Sequence, residues 1–412
     1  LNVDPLTVLI GTNASGKSNA LDAFVLLNRI ASGAMLTSAL QGDGALTPMR
    51  GGVDWAAQRP GSVFAIGAVC RADELTDYEY RIDCRVSENR CDVIAEQLFR
   101  KKYRTNKQGK RTSVAGTVKL FRTDPCMDTA PNIIARLYNE KQGTPRTLGR
   151  SHSVLFQLVG QKLRQEIQDG VNVVIESCKE IFYLDPIPSH MRAYSPLADK
   201  LDSDAKNIAG VIAALPESKQ KDIEAVLTKY ASKLPERDIR KVYAETVGKF
   251  RSDAMLYCEE DWLGAGEPHT IDARGMSDGT LRFLAILTAL LTRPEKSLLV
   301  IEEIDNGLHP SRATMLLEML RTIGKQRGVD ILATTHNPAL LDAMGTEMVP
   351  FITVAHRDRK TGHSVLVLLE DIKQLPKLLA QGTIGRLSSR GLIEKSLQQS
   401  FDFENAGVIE NG

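Results

Sequence analysis

Gly11-Thr-Asn-Ala-Ser-Gly-Lys-Ser18 has the spacing G-x-x-x-x-G-K-[ST], and its reading decides how the rest of the chain is understood. Leu6 to Ile10 before it is a short apolar run that predicts a buried strand. Ser18 to Ile30 behind it carries apolar residues at 21, 24, 25, 27 and 30, the spacing of one helix face. A strand, a glycine-rich loop and a helix in that order form a cradle for a phosphate chain. The glycines let the backbone curl with its N–H groups inward, the helix presents its positive end, and Lys17 neutralises charge on the outer phosphates. Ser18 is the natural ligand for a magnesium ion, and Gly11, Thr12, Asn13, Ala14, Ser15, Gly16 and Asn19 complete the cradle.

Far downstream, Leu298 to Ile301 is a four-residue apolar run that predicts a strand buried on both faces, with Glu302 and Glu303 at its carboxyl end. Two adjacent half-buried acids oppose each other's ionisation, and a divalent cation with an attacking water is the simplest compensation. Glu302 is therefore assigned to magnesium, directly or through water, and Glu303 to polarising the water. Ser277 with Asp278 suits the cap of a strongly apolar helix, 278 to 292. His336 follows the next predicted strand, 329 to 334, on the same edge of the sheet as the acids. Helices at 310 to 324 and 337 to 343 and a strand at 349 to 355 complete an alternation that implies a parallel sheet.

Between these ends the pattern changes. Val63 to Arg71, Tyr78 to Ser87, Cys91 to Phe99 and Val114 to Leu120 predict an antiparallel sheet, and the segment Arg100 to Arg111 joining the last two holds seven basic residues and no acid. That basic hairpin is a candidate contact for DNA phosphates, with a solvated charged loop as the alternative. Residues 155 to 180 have helical spacing, Ile181 to Leu184 reads as a strand, and 197 to 249 reads as two or three short helices broken at Pro216 and Pro235. Lys and Arg number 52 against 51 Asp and Glu, so no global field implies a polyanion or a membrane surface. No apolar run approaches the roughly 20 residues that span a bilayer. Six cysteines without metal spacing read as reduced thiols and point to the cytoplasm.

The order of these motifs resembles the ABC-type ATPases, and within them the SMC, RecF and OLD-like head domains. Gly11 to Ser18 is similar to their G-x-N-x-S-G-K-S loop, Ser277-Asp-Gly-Thr280 to their signature, Ile301-Glu-Glu-Ile-Asp-Asn-Gly-Leu-His-Pro310 to their Walker B and D-loop run, and Thr334 to Pro338 to their H-switch. The resemblance, carried by residues from about 1 to 30 and 270 to 345, implies an α/β ABC-ATPase head with a mixed, largely parallel core sheet; the pattern of the residues between adds an antiparallel β lobe and, at 197 to 249, an inserted helical arm or lid. Together these readings divide the chain into an N-terminal lobe at 1–185, an arm or lid at 186–262 and a C-terminal lobe at 263–412. The cofactors it implies are ATP and Mg2+. Glu303, His336 and Lys17 would be the catalytic residues, and Ser277 and Gly279 would cover the ATP of a second copy in a head-to-tail homodimer. The partners expected beyond that copy are DNA or an effector protein, in genome maintenance or phage defence, or a separate nuclease subunit. A non-hydrolysing scaffold is the remaining alternative. The sequence departs from the family in having Glu302 where Asp is usual and Asp278 where transporters have Gly. Gln157 is the candidate Q-loop residue. An upstream strand, expected before Leu1, would carry whatever stacks on adenine.

Overall fold

The apolar runs that flank the two motifs form strands with no solvated face. In the computed structural model, which describes residues 1–127, 129–138, 142–234, 239–261 and 268–397, Leu6–Ile10 is buried at every position. It pairs in parallel with Asp330–Thr334 on one side and Ile352–Arg357 on the other, and Asp330–Thr334 pairs in parallel with Leu298–Ile301. Ile181–Leu184 and Ser364–Leu368 are the edge strands of this six-stranded sheet, the latter antiparallel to its neighbour. Strands covered on both faces are apolar throughout, as parallel sheets require.

The chain divides into two compact units, one of Leu1–Asn19 together with the residues from Phe182 onward, the other Ala20–Ile181. The first unit holds the parallel sheet. Its helix Asp278–Thr292 is buried almost all round, with Leu281, Phe283, Leu284, Leu287 and Leu290 at or near zero exposure. Each such side chain contributes about 1.5–3 kcal/mol on leaving water. Residues 197 to 249 form helices Ile208–Ala213 and Glu217–Ala231, and then a strand, Ile239–Val247, where the sequence predicts more helix. That strand pairs antiparallel with Asp253–Glu260, which pairs with His269–Asp272. The two helices bury Val211, Ile212, Leu227 and Tyr230 in the same core cluster as Leu284 and Leu299. The expected break at Pro235 and the boundary expected between 262 and 263 lie outside the described residues.

The second unit is a six-stranded antiparallel meander in sequence order, from Val63–Asp73 to Thr144–Gly149. Two of its strands, Asn132–Leu137 and Thr144–Gly149, are additional to the four expected. The helical stretch at 155 to 180 is two helices, Val154–Gln157 and Gln165–Lys179. The longer one buries Ile167, Val171, Val174, Ile175 and Cys178, an amphipathic face laid against the meander. All six cysteines are free thiols. No helix among the described residues is long and apolar enough to cross a membrane.

Candidate nucleotide site

The phosphate loop is held open by backbone conformations that few side chains adopt. Gly11 has φ of 144° and Gly16 of 102°, and Ala14 stands at 62°. A Cβ at Gly11 would run into the Ala355 carbonyl of the neighbouring strand, so glycine is fixed there by space as well as by torsion. Lys17 Nζ reaches back to donate to the carbonyls of Gly11 (2.7 Å) and Thr12 (3.0 Å), which spans the mouth of the loop. Burial pushes the Lys17 ammonium below its ordinary pKa, against the pull of Glu303, Glu302 and Glu394. The Ser15 hydroxyl is buried without a hydrogen-bond partner.

The acid strand ends where its two carboxylates take different surroundings. Glu302 is half-buried; its Oε1 accepts from Ser18 Oγ at 2.6 Å and its Oε2 from the Tyr183 hydroxyl at 2.7 Å. Glu303 is turned the other way by a left-handed backbone, φ 47°, a conformation that costs a non-glycine residue roughly 1–2 kcal/mol. The turn is secured by hydrogen bonds from Glu303 N to Thr334 Oγ1 (2.9 Å) and from Ile304 N to the Thr334 carbonyl (3.0 Å). Its side chain, 47% exposed, faces His336, with Oε1 and Nδ1 3.9 Å apart. Thr335 Oγ1 donates to Asp305 Oδ1 at 2.5 Å, so the strand bearing the histidine and the run bearing the acids are tied by two consecutive threonines.

A pocket of about 370 Å³ opens here, lined by Asn13 to Asn19, Glu302, Glu303, Thr334, Arg357 and Ser364. Of the residues expected from the sequence, the loop from Asn13 onward and both acids line it, and His336 stands beside Glu303. Ser277 does not line it. That exposed serine caps its own helix, accepting from Thr280 N at 3.1 Å, while Arg192 ties Asp278 (2.9 Å) and the Met276 carbonyl (2.8 Å). Gly279 sits so close to the Gly307 carbonyl, 2.6 Å from where a Cβ would stand, that the cap packs on the run following the acids. The Gln157 amide is engaged within its own unit, accepting from Gly149 N (3.0 Å) and donating to Gly149 O (2.8 Å).

Four contributors escaped the sequence reading. Tyr183 lies in a predicted strand, one residue before its carboxyl end, and that position on a parallel sheet was the available signal. Thr334 belongs in the sequence to the run Thr334 to Pro338 around the histidine, and nothing local marks its hydroxyl as the support of Glu303. Arg357 and Ser364 belong to a hairpin beyond the predicted end of the strand at 355, announced only by the turn residues Asp358 and Gly362.

A family model described as "AAA domain, putative AbiEii toxin, Type IV TA system" matches residues 6–114 and 118–342. No curated protein matches the sequence. Among solved structures, an SMC head bound to the C-terminal winged-helix domain of ScpA is 13% identical over 90% of this chain and 93% of its own, with a TM-score of 0.41. The Pyrococcus furiosus Smc head with an extended coiled coil, bound to the C-terminal domain of ScpA, is 12% identical over 92% and 94%, with a TM-score of 0.40. The cbiO1 protein of the Clostridium perfringens cbiONQ ABC transporter is 15% identical over 61% and 77%, with a TM-score of 0.27. The family model spans most of the chain, which is therefore a member of the AAA-domain family described as putative AbiEii toxin of type IV toxin–antitoxin systems.

Proposed function

We propose that the chain binds ATP with Mg2+ in this pocket, hydrolyses it, and works as a head-to-tail homodimeric switch on DNA or an effector protein in the cytoplasm. The observation that carries the reading is the division of the motif set: the loop, the acid pair and His336 converge within one chain, while Ser277 stays outside the pocket on an exposed helix cap. A site assembled from two copies accounts for that division, because a serine and a helix N-terminus from a second subunit then close on the outer phosphate.

The residues fit both cofactors. The Ser15 hydroxyl without a partner, the inward loop and Lys17 suit a phosphate chain. Ser18 Oγ and Glu302 Oε1, 2.6 Å apart, are hard oxygen donors of the kind magnesium takes together with phosphate and water. Among the described residues no three His, Cys, Asp or Glu side chains gather to hold a metal, which agrees with a cation carried in on the nucleotide. Magnesium, when bound, neutralises charge on the transferring phosphoryl group. Glu303, aimed by its strained backbone, accepts a proton from the attacking water, and His336 holds the outer phosphate oxygens near it. Lys17 compensates charge on the leaving side. Tyr183 fixes the orientation of Glu302.

Steady-state phosphate release from Glu303→Gln is expected to fall about a hundredfold or more, the usual loss for a general base. The same variant with ATP should sediment as a dimer. A rate equal to wild type removes the role given to Glu303, and a monomer in saturating ATP removes the dimeric switch. What copurifies with that variant separates DNA from an effector protein.

A further inference from the structure

The strand pair Ile352–Arg357 and Ser364–Leu368 places a cation at the phosphate loop that the ATPase motifs do not include. Ile352–Arg357 lies in parallel register beside the loop strand, with Ile10 opposite Val354. The next residue, Ala355, brings its carbonyl against Gly11. Two residues further on, Arg357 pairs directly across the hairpin with Ser364. Both line the pocket, and a Cβ on Gly16 would fall on the Ser364 side chain. In sheet order this hairpin is on one side of the loop strand and the acid strand on the other. The hairpin's own acid is spent: Asp358 Oδ1 accepts from Lys360 N (2.9 Å), Thr361 N (2.7 Å) and Thr361 Oγ1 (2.9 Å) to form the turn.

The charges lining the pocket are Lys17 and Arg357 against Glu302 and Glu303. With Arg357 the lining is balanced; without it two carboxylates face a single ammonium, and a polyphosphate entering would meet net negative charge. A guanidinium presents a planar fork suited to phosphate oxygens, and such charge-assisted contacts are the strong ones.

We propose that Arg357, with the Ser364 hydroxyl beside it, is a second phosphate-binding cation of the nucleotide site, contributed in cis and gripping the polyphosphate from the side away from the acid pair. The proposal rests on the ATP-binding reading, and it makes affinity for nucleoside polyphosphates, rather than the hydrolytic step, the property that depends on the hairpin.

The test is calorimetric titration of the full chain with ATP and magnesium for wild type, Lys17→Ala, and Arg357 changed to Lys, Gln and Glu. Affinity is expected to fall in the order Arg, Lys, Gln, Glu, with Arg357→Gln weaker than wild type by about tenfold or more. Arg357 is exposed, so thermal midpoints should stay together and show that the series is folded. If Lys17→Ala loses ATP while the Arg357 variants bind within twofold of wild type, this inference falls and the ATP-binding reading stands. Losses that do not follow the charge at position 357 also overturn it. If wild type itself binds no ATP, both fall.

Discussion

Two carboxylates in two regions of the molecule show how differently a fold can hold an acid. Glu302 ends a parallel strand in the first unit, half-buried, with both oxygens engaged by the side-chain hydroxyls of Ser18 and Tyr183. Glu96 lies in the antiparallel meander of the second unit, 1% exposed, with Tyr80 Oη and Leu155 N on Oε1 and Val154 N on Oε2. Glu96 is the more deeply buried, and its pKa is pushed up to about 7 by that burial, against the two amides and the hydroxyl. Burial and a perturbed pKa alone would select Glu96 as the functional residue. The partners favour Glu302, in keeping with the role proposed for it. Backbone amides of a folded helix start cannot leave, whereas a serine hydroxyl on a phosphate loop can exchange its carboxylate for a cation. An acid is poised for chemistry when its partners are replaceable and it opens on a pocket.

The same isosteric change in both regions tests that distinction most strongly. Glu302→Gln is expected to reduce ATP turnover by about a hundredfold or more, since it removes a charge beside the proposed cation. The thermal midpoint should hardly move, because the amide oxygen still accepts one hydroxyl. The magnesium concentration for half-maximal rate should rise. Turnover and magnesium dependence both matching wild type would mean that Glu302 is structural like Glu96, and the comparison would collapse.

A smaller effect is expected at the basic hairpin of the second unit. Arg100 is 3.4 Å from Glu166 and Lys101 2.5 Å from Glu79, and Arg111 pairs with Asp77. Three of the seven basic residues are thus already matched by acids, two from the strand Thr76–Ser87 and one from a helix, pairs of modest strength at a surface. A DNA contact then rests on Lys102, Arg104, Lys107 and Lys110. Lys107→Glu with Lys110→Glu, at the exposed turn, should weaken DNA affinity by about tenfold at low salt and flatten its salt dependence. Unchanged binding across the salt series would remove DNA from the proposed partners of this unit.

How much of this was legible depends on what kind of signal each region carries. The loop and the acid strand were readable because a glycine at φ 102° and a four-residue apolar run leave composition marks on the sequence. Helix Asp278–Thr292 was readable end to end because its serine cap and its apolar face agree. The strand at Ile239–Val247 was not, since Lys241, Glu245 and other polar residues on its open face imitate the charged face of a helix. The Arg357 and Ser364 pair was invisible for another reason: neither residue belongs to a motif, and only the register that sets Ile10 beside Val354 brings them to the loop. Contacts made by sheet neighbours distant in sequence leave no local trace.

The smallest expected effect is at Glu96 itself, and its sign follows from linkage. An unfolded Glu titrates near its ordinary value of 4.5, and the folded one near 7. The folded state therefore holds the proton more tightly. This group's contribution to stability is fully present below about 4.5 and is lost as pH rises through about 7. Glu96→Gln has no proton to lose, so the variant should show a flatter pH dependence of the thermal midpoint between pH 5 and 8 than wild type. The gap between the two curves should open in the variant's favour toward pH 8, with ATP turnover unaltered. The difference between the curves isolates Glu96 from every other titrating group, because those are common to both proteins. Parallel curves would show that the amides of Val154 and Leu155 outweigh burial and keep the carboxylate ionised, which would make Glu96 a fixed anion at a helix start and not a proton-bearing one.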